Sequence, residues 1–323
     1  MDHQLHQTRD HDHRRPGSHD QHRVLDLDAE VFGGHLEAVL DLAGVPAARS
    51  IVDLGAGTGA GSRLLRGRFP DAAVTCVDND PQMLELLRGQ GFAAVESDLD
   101  GGFPALAGAP ADLVWASSSL HHVAHPARLL SGVRRALAPR GVLVVVELAA
   151  LPRFLSYPPD ALLEERCHAA AAAEGWNHHP DWTPVIEAAG FCVARSEVAA
   201  VAPVAAAARE YARQWFGRFA HLAALTADDR DAVEDLLERF PDGVGLEPRA
   251  TRTVWVATPD QDQKRPEHIP TQNGTPRSRH NAVSGASGLR PVPGVRPESR
   301  LFTSADLSGS GGSTRRARGQ GSG

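Results

Sequence analysis

The sequence has few cysteines and no apolar run long enough to cross a bilayer. Its three cysteines among 323 residues are widely scattered, show no metal-ligand spacing and include two in apparent strands. We therefore expect buried, reduced thiols in a cytoplasmic protein, and no metal site. The longest apolar run, Val142 to Leu151, is interrupted by Glu147 and is too short for a membrane span. The first residues are polar and rich in histidine, so we expect no signal peptide, a soluble protein and no membrane partner.

Lysine is nearly absent, and the charge is unevenly distributed. Lys264 is the single lysine of the chain, and the formal net charge is −7. The segment from Thr258 onward holds ten basic and five acidic residues. The acidic excess therefore lies in the rest of the chain, which argues against nucleic acid as a partner.

Composition divides the chain into a central domain and two polar ends. Residues 1–23 hold six histidines among Asp, Arg and Gln, and residues 259–323 are rich in Gly, Ser, Pro and Arg without periodicity. Both ends have too little apolar surface to offset the cost of ordering, so we predict two disordered tails. Residues 24–258 are predicted to form one domain, with helical insertions at about 151–182 and 204–245 as candidate lids.

A glycine-rich turn after a short apolar strand sets the organisation of this domain. Ile51 to Leu54 predicts a buried parallel strand, and the glycine cluster that follows predicts a tight turn into a helix. Gly55, Gly57 and Gly59 can adopt positive φ and leave room for a ligand against the main chain. The N-terminus of the following helix is positive. The stretch predicts a cofactor-binding turn; the alternative is a turn that only joins two core elements.

Acidic side chains follow the next two predicted strands. Asp78 ends the strand that begins at Ala73 and lies 21 residues beyond Gly57, where a carboxylate can accept both hydroxyls of a ribose. Alternatively, Asp78 caps the following helix. Asp98 follows the strand Phe92–Glu96 and, taken alone, also fits a turn aspartate.

Two further predicted strands end near polar residues. The strand Ala111–Ala116 runs into Ser117 and the pair His121 and His122, and the strand Val142–Glu147 is apolar enough to be central. Open α/β sheets bind ligands at the carboxyl ends of their strands. We therefore expect these polar residues to line one edge of the sheet.

These motifs together resemble the class I S-adenosylmethionine-dependent methyltransferases, in particular small-molecule enzymes of the ubiquinone-biosynthesis type. The resemblance extends over residues 24–190 and two later predicted strands. It rests on Asp53-Leu-Gly55-Ala-Gly57-Thr-Gly59, Asp78, Asp98, the segment DLVWASSSLHHV, and the strands Phe191–Val198 and Thr251–Thr258. It implies an α/β fold with a Rossmann-like seven-stranded sheet of order 3-2-1-4-5-7-6, helices on both faces and a helical lid or insertion.

The resemblance also implies a cofactor, a reaction and a set of residues. The cofactor is S-adenosyl-L-methionine, and the acceptor is a small molecule methylated by in-line displacement. Asp98 accepts a hydrogen bond from the adenine amino group in this family. The positions implied to contact the cofactor are Asp53, Gly55, Ala56, Gly57, Gly59, Asp78, Asn79, Asp98, Leu99 and Ser117. His121 and His122 are the candidate catalytic bases, and His178 and His179 are candidates for contact with the acceptor.

Two other functions remain open from the residues alone. Gly55-x-Gly57-x-x-Ala60 also satisfies the looser dinucleotide fingerprint, which suggests an NAD(P)-dependent oxidoreductase. The central domain has no lysine and therefore no Tyr-x-x-x-Lys dyad, and the position of Asp98 favours methyl transfer. A non-catalytic protein that binds S-adenosylmethionine is the third hypothesis, because its donor site would look identical. The sequence predicts neither the acceptor nor the oligomeric state.

Overall fold

Eight strands form one mixed sheet whose first five strands run parallel. The computed structural model describes residues 18–176, 180–240 and 244–260, with side chains from residue 23 onward. The strands within these residues are β1 (Ser50–Leu54), β2 (Ala73–Asp78), β3 (Ala93–Glu96), β4 (Ala111–Ser117), β5 (Leu137–Leu148), β6 (Arg153–Leu155), β7 (Phe191–Val201) and β8 (Leu246–Pro259). β1 and β4 are buried along most of their length, as parallel strands covered on both faces should be.

The order of the strands confirms the predicted topology with one addition. The parallel part runs β3-β2-β1-β4-β5, and β8 lies between β5 and β7, antiparallel to both. Because β8 is the last strand among the described residues, this is the predicted order 3-2-1-4-5-7-6 once the short strand β6 is set aside. β6 pairs with Leu246 and Arg249 of β8, on the edge of β8 that β5 also uses. The predicted count of seven strands missed this strand because it has only three residues.

Helices cover both faces of the sheet, as predicted. The helices within the described residues are α1 (Ser18–Ala43), α2 (Ala60–Arg68), α3 (Pro81–Gly89), α4 (Pro126–Ala136), α5 (Asp160–Ala173), α6 (Thr183–Ala188), α7 (Ala206–Phe219) and α8 (Ala227–Arg239). One core joins the sheet to α1, α2 and α3. A second core joins the opposite face to α4 and α6.

The first helix begins within the stretch assigned to the N-terminal tail and contains a kink. α1 begins at Ser18, inside the stretch 1–23 that we assigned to a tail, because its N-terminal half buries Leu27 against the helices of the insertions. Phe32, Leu36, Val39 and Leu40 form an apolar stripe on this helix and are all buried. At Phe32 the backbone leaves the helical region, with φ −114° and ψ 20°.

The two predicted insertions pack together as one helical layer. α5 comes from the first insertion and α7 and α8 from the second, and they share a core with β6 and the N-terminal half of α1. The buried aromatic residues of this core are Phe32, Phe154, Tyr211, Trp215, Phe216, Phe219 and Phe240. Thr226 caps α8, because its Oγ1 accepts from Asp229 N at 3.1 Å. We refer to α5, α7, α8 and β6 as the helical layer.

The three cysteines are free thiols, two of them buried. Burial raises the pKa of the Cys76 and Cys167 thiols to about 12. Cys192 is exposed, so the prediction of a buried thiol is wrong there, because β7 alternates between covered and exposed positions. Within the part of the chain that the structure describes, no helix is long and apolar enough to span a membrane, and no three His, Cys, Asp or Glu residues cluster to hold a metal ion.

Candidate cofactor and acceptor site

The glycine turn is fixed against the end of β2. Gly55 N and Ala56 N both donate to the Val77 carbonyl oxygen, at 2.8 and 3.1 Å. Gly55, Gly57 and Gly59 have φ values of +65°, +52° and +84°, a region that other L residues rarely adopt. Gly59 is also the N-cap of α2. The local sequence therefore folds as predicted, into a strand, a tight turn and a helix.

The three glycines have different surroundings. A Cβ on Gly55 would lie 2.5 Å from Ser119 Cβ, and one on Gly59 would lie 2.9 Å from Gln90 Oε1, so both positions are packed against protein. A Cβ on Gly57 would meet nothing within 4 Å. Gly57 is therefore the position in this turn where a ligand has room to lie against the main chain.

Asp78 lies beside this opening and keeps capacity for a ligand. Its Oδ2 accepts from Gly57 N at 2.8 Å, and its Oδ1 accepts from Asp80 N at 3.0 Å. The capping role considered as an alternative for Asp78 belongs to Asp80, which accepts from Gln82 N at the start of α3. A carboxylate has about four acceptor positions. Two of these remain for the hydroxyl groups of a ribose.

Asp53, the acidic residue before the turn, faces the first turn of α2 instead. It is 2% exposed, and Ser62 Oγ donates to its Oδ2 at 2.5 Å. A Cβ on Gly61 would lie 3.3 Å from the same oxygen. Burial raises the pKa of the Asp53 carboxyl to about 7; the hydrogen bond from Ser62 opposes this shift, and the negative charge of Asp78 adds to it. Asp53 therefore supports the turn from inside the domain.

The Asp53→Asn variant should remove a pH dependence of stability. The unfolded carboxyl titrates near pH 4 and the folded one near pH 7, so between these values the folded state retains a proton that the unfolded state has released. The free energy of unfolding of the parent protein should fall as the pH rises through this window and level off above it. Between about pH 5 and pH 8, the free energy of unfolding of the parent protein should fall by about 2–3 kcal/mol more than that of Asp53→Asn.

Urea unfolding at the two pH values measures this difference. Asp71→Asn is the matched control, because Asp71 is exposed on the loop before β2. Its stability should follow that of the parent protein. Parallel stability curves for the parent protein and Asp53→Asn would contradict the expectation.

Asp98 follows β3 at the same edge of the sheet. Ser97 N donates to the Asp78 carbonyl oxygen at 2.9 Å, which joins the ends of β2 and β3. Asp98 is exposed, and its Oδ1 accepts from Asp100 N at 2.9 Å as the cap of a 3-10 turn that begins at Leu99. Four of the residues predicted to contact the cofactor therefore follow β2 and β3 at this edge of the sheet. They are Asp78, Asn79, Asp98 and Leu99.

The end of β4 carries a strained serine. Ser117 is the last residue of β4 and pairs with Val146 of β5. Ser118 has φ +51° and its N–H donates to the Val146 carbonyl oxygen at 2.8 Å. Ser119 is 6% exposed, packs on Gly55, and has a buried hydroxyl without a hydrogen-bond partner. Non-glycine residues held at positive φ concentrate at functional sites.

His121 is held by a buried carboxylate. Its Nδ1 lies 2.7 Å from Glu147 Oε2, and its backbone N–H donates to Oε1 at 3.3 Å. Glu147 lies on β5 with a side-chain exposure of 1%, and the side chain of His121 is 12% exposed. A carboxylate only accepts hydrogen bonds, so Nδ1 carries the hydrogen and the ring orientation is fixed. In the neutral ring Nε2 is then the acceptor nitrogen.

The two predicted bases differ in their surroundings. His122 is exposed, with its ring centroid 4.0 Å from that of His121. The carboxylate of Glu147 contacts His121 and fixes its ring. His121 is therefore the better candidate for the catalytic base. The other two histidines considered from the sequence, His178 and His179, lie outside the described residues.

Two side chains at this edge were not predicted from the sequence. Glu147 entered the prediction only as an interruption of an apolar run. A single carboxylate in a central strand is nevertheless a signal, because a buried charge requires a partner. Ser119 carried no comparable signal, since its contact with Gly55 joins segments far apart in the chain.

The fold and this edge define a class of protein. A Rossmann-like sheet with a glycine turn after β1 and a carboxylate at the end of β2 binds a cofactor that contains a nucleoside. Sequence comparison identifies which cofactor. Residues 52–143 match a family described as a methyltransferase domain.

Known relatives agree with that match. A trans-aconitate 2-methyltransferase of Acidovorax sp. (strain JS42) is 36% identical over 138 residues, 42% of this chain and 51% of that protein. A malonyl-[acyl-carrier protein] O-methyltransferase of Laribacter hongkongensis (strain HLHK9) is 34% identical over 141 residues, 40% of this chain and 43% of that protein. The chain spans about half the length of the curated relatives it matches. These matches make the central part of the chain similar to the class I S-adenosylmethionine-dependent methyltransferases, whose cofactor is S-adenosylmethionine.

Solved structures resemble the chain more distantly. A putative methyltransferase from an antibiotic biosynthesis pathway of Anabaena variabilis ATCC 29413 is 16% identical, with a TM-score of 0.47. The match covers 68% of this chain and 96% of that protein.

Proposed function

We propose that this chain transfers a methyl group from S-adenosylmethionine to a small-molecule acceptor by in-line displacement. The observation that carries the proposal is that Gly57 and Asp78 lie at the same edge of the sheet as the His121–Glu147 pair. Gly57 and Asp78 provide a position for the cofactor, and His121 provides an imidazole that Glu147 orients. The methyltransferase names of the relatives support the same reaction type.

The described residues fit the cofactor. In the proposed binding mode Asp78 accepts hydrogen bonds from the ribose hydroxyls through the acceptor positions that Gly57 N and Asp80 N leave. The open space beside Gly57 admits the cofactor to the main chain. Asp98 and the backbone of Leu99 bind the adenine ring, and Ser117 lies at the end of β4 nearer the reacting group.

Catalysis depends mainly on the position of the acceptor. When bound, S-adenosylmethionine supplies a methyl group on a positively charged sulfur, which is reactive without further activation. Correct orientation of two reacting groups contributes roughly 7–11 kcal/mol to barrier lowering. His121 takes a proton at Nε2 from a hydroxyl acceptor, an effect typically worth about 10²–10⁴ in rate. An acceptor that is already ionised, such as a carboxylate, requires orientation alone.

Small carboxylic acids are the first acceptors that we propose. The two relatives described above are named for an acid, trans-aconitate, and for a malonyl thioester. The helical layer packs on the N-terminal half of α1, and we propose that it covers the acceptor. Exclusion of water protects the reacting group during transfer.

Cofactor titration and methyl transfer test the proposal separately. Isothermal titration should show binding of S-adenosylmethionine and S-adenosylhomocysteine, and no binding of NADH. Methyl-labelled cofactor with a panel of small acids and hydroxy acids should then yield labelled product. Binding of NADH alone would contradict methyl transfer. Tight cofactor binding with no labelled product from any acceptor or cell extract would favour a non-catalytic binding protein.

A further inference from the structure

A buried arginine lies where β8 passes the carboxyl end of β5. Arg252 pairs in register with Leu148, the last residue of β5, and is 1% exposed. Arginine is almost never buried to this extent unless it is paired. Glu147, the partner of His121, is the neighbour of Leu148 and points to the opposite face of the sheet. Both residues therefore lie at the carboxyl end of β5, the edge at which open α/β sheets bind ligands.

The arginine has a carboxylate partner on α1. Arg252 Nη2 donates to Asp28 Oδ2, and Tyr211 of α7 donates to Asp28 Oδ1 at 2.9 Å. The side chain of Asp28 is 21% exposed, whereas that of Arg252 is 2% exposed. A rotation of Asp28 would return its carboxylate to water, but the guanidinium would remain inside the protein.

Asp28 uses only part of the hydrogen-bonding capacity of this arginine. The Nε of Arg252 is buried and has no hydrogen-bond partner. A guanidinium presents its donors in a planar fork that matches a carboxylate in a bidentate arrangement. A carboxylate from another molecule could engage Nε and Nη2 together, which Asp28 does not.

Arg252 carries the positive charge of this cluster, because the neighbouring groups His35 and Tyr211 add none. Burial and the charge of Arg252 lower the pKa of His35, whose Nε2 lies 2.6 Å from the Val198 carbonyl oxygen. Burial and the charge of Asp28 raise the pKa of Tyr211 well above its usual value, so its hydroxyl remains a donor. Without Asp28, the cluster would present one cation and one neutral donor, a combination that suits a carboxylate.

We propose that Arg252 binds a carboxylate of the methyl acceptor. In the absence of the acceptor, Asp28 pairs with Arg252, and the acceptor carboxylate displaces it. The inference rests on the proposed function, because it assigns the acceptor class for the same site. The acceptor is then an organic acid that carries an anionic group distinct from the atom that is methylated. Asp28 sits on the N-terminal side of the kink at Phe32, so the half-helix that carries it is separate from the half that packs on the sheet.

Substitution of Asp28 should increase the affinity of the chain for organic acids. Titration of malonate, succinate and trans-aconitate into the full chain saturated with S-adenosylhomocysteine measures the affinity directly. At least one acid should bind Asp28→Asn at least about tenfold more tightly than the parent protein, because an internal competitor lowers apparent affinity by the fraction of sites it occupies. Asp28→Ala should give the same direction. Arg252→Gln should bind none of the acids, and Glu37→Gln, an exposed position on α1, should match the parent protein.

A purely structural ion pair predicts different results. Asp28→Asn and Asp28→Ala would then bind acids no more tightly than the parent protein, and this outcome overturns the proposal. Methylation of a neutral acceptor with no acid binding to any variant would also overturn it, while the proposed methyl transfer would stand. Failure of S-adenosylhomocysteine to bind the parent protein would instead contradict the proposed function. If Arg252→Gln does not fold, Arg252→Lys retains the charge without the fork and should still lose acid affinity at unchanged cofactor affinity.

Discussion

The Asp78→Asn variant should bind S-adenosylhomocysteine about 100-fold more weakly than the parent protein. Both oxygens of Asp78 accept backbone hydrogen bonds, from Gly57 N and Asp80 N. An asparagine must turn its amide nitrogen toward one of these two donors, so one hydrogen bond is replaced by a contact between donors. The same change removes the charge that strengthens hydrogen bonds to the ribose hydroxyls. Two hydrogen bonds to a charged group, each worth about 1.5–3 kcal/mol, correspond to a loss of at least about this size.

Asp80→Asn is the matched control for this measurement. Asp80 lies two residues further along the chain and accepts from Gln82 N as the N-cap of α3. Asparagine is as good an N-cap as aspartate, so Asp80→Asn should retain the parent affinity. Isothermal titration with S-adenosylhomocysteine compares the two variants without a need for an acceptor. Equal affinities for Asp78→Asn and Asp80→Asn would show that Asp78 does not contact the cofactor.

The parts of this site that depend on local sequence were predictable. The turn from Gly55 to Gly59 follows from the need for positive φ between a buried strand and a helix. The strand order follows from the resemblance to a known family, and its antiparallel end was placed from two short runs near Phe191 and Thr251.

The parts that depend on contacts across the fold were not predictable in the same way. Glu147 and His121 are 26 residues apart, and Arg252 and Asp28 are 224 apart. The charged residues of these pairs interrupt apolar or periodic segments of the sequence. Such an interruption indicates that the residue has a partner, but not which residue the partner is. The partner is set by how strands and helices assemble, and this depends on the packing of the whole domain. The role of Asp53 shows the same limit, because its motif position implied cofactor contact while its side chain faces Ser62.

His121→Ala should lower kcat by about 100-fold or more with a hydroxyl acceptor, at unchanged affinity for S-adenosylhomocysteine. The expected loss is the contribution of general base catalysis, about 10²–10⁴ in rate. With an acceptor that is already ionised, only an orienting hydrogen bond is lost, and the decrease should be about tenfold. The size of the loss therefore indicates which kind of acceptor atom is methylated.

The variants of the neighbouring residues separate catalysis by His121 from a general effect on the fold. His122→Gln should retain the parent kcat, because His122 is exposed and Glu147 contacts its neighbour. Glu147→Gln should lower kcat less than His121→Ala does, because it loosens the ring without removing it. Added imidazole should partly restore the activity of His121→Gly with a hydroxyl acceptor and should not restore that of Glu147→Gln. If His121→Ala keeps the parent kcat with every acceptor, the base at this sheet edge is not His121, and the buried Glu147 serves only to anchor the turn that follows β4.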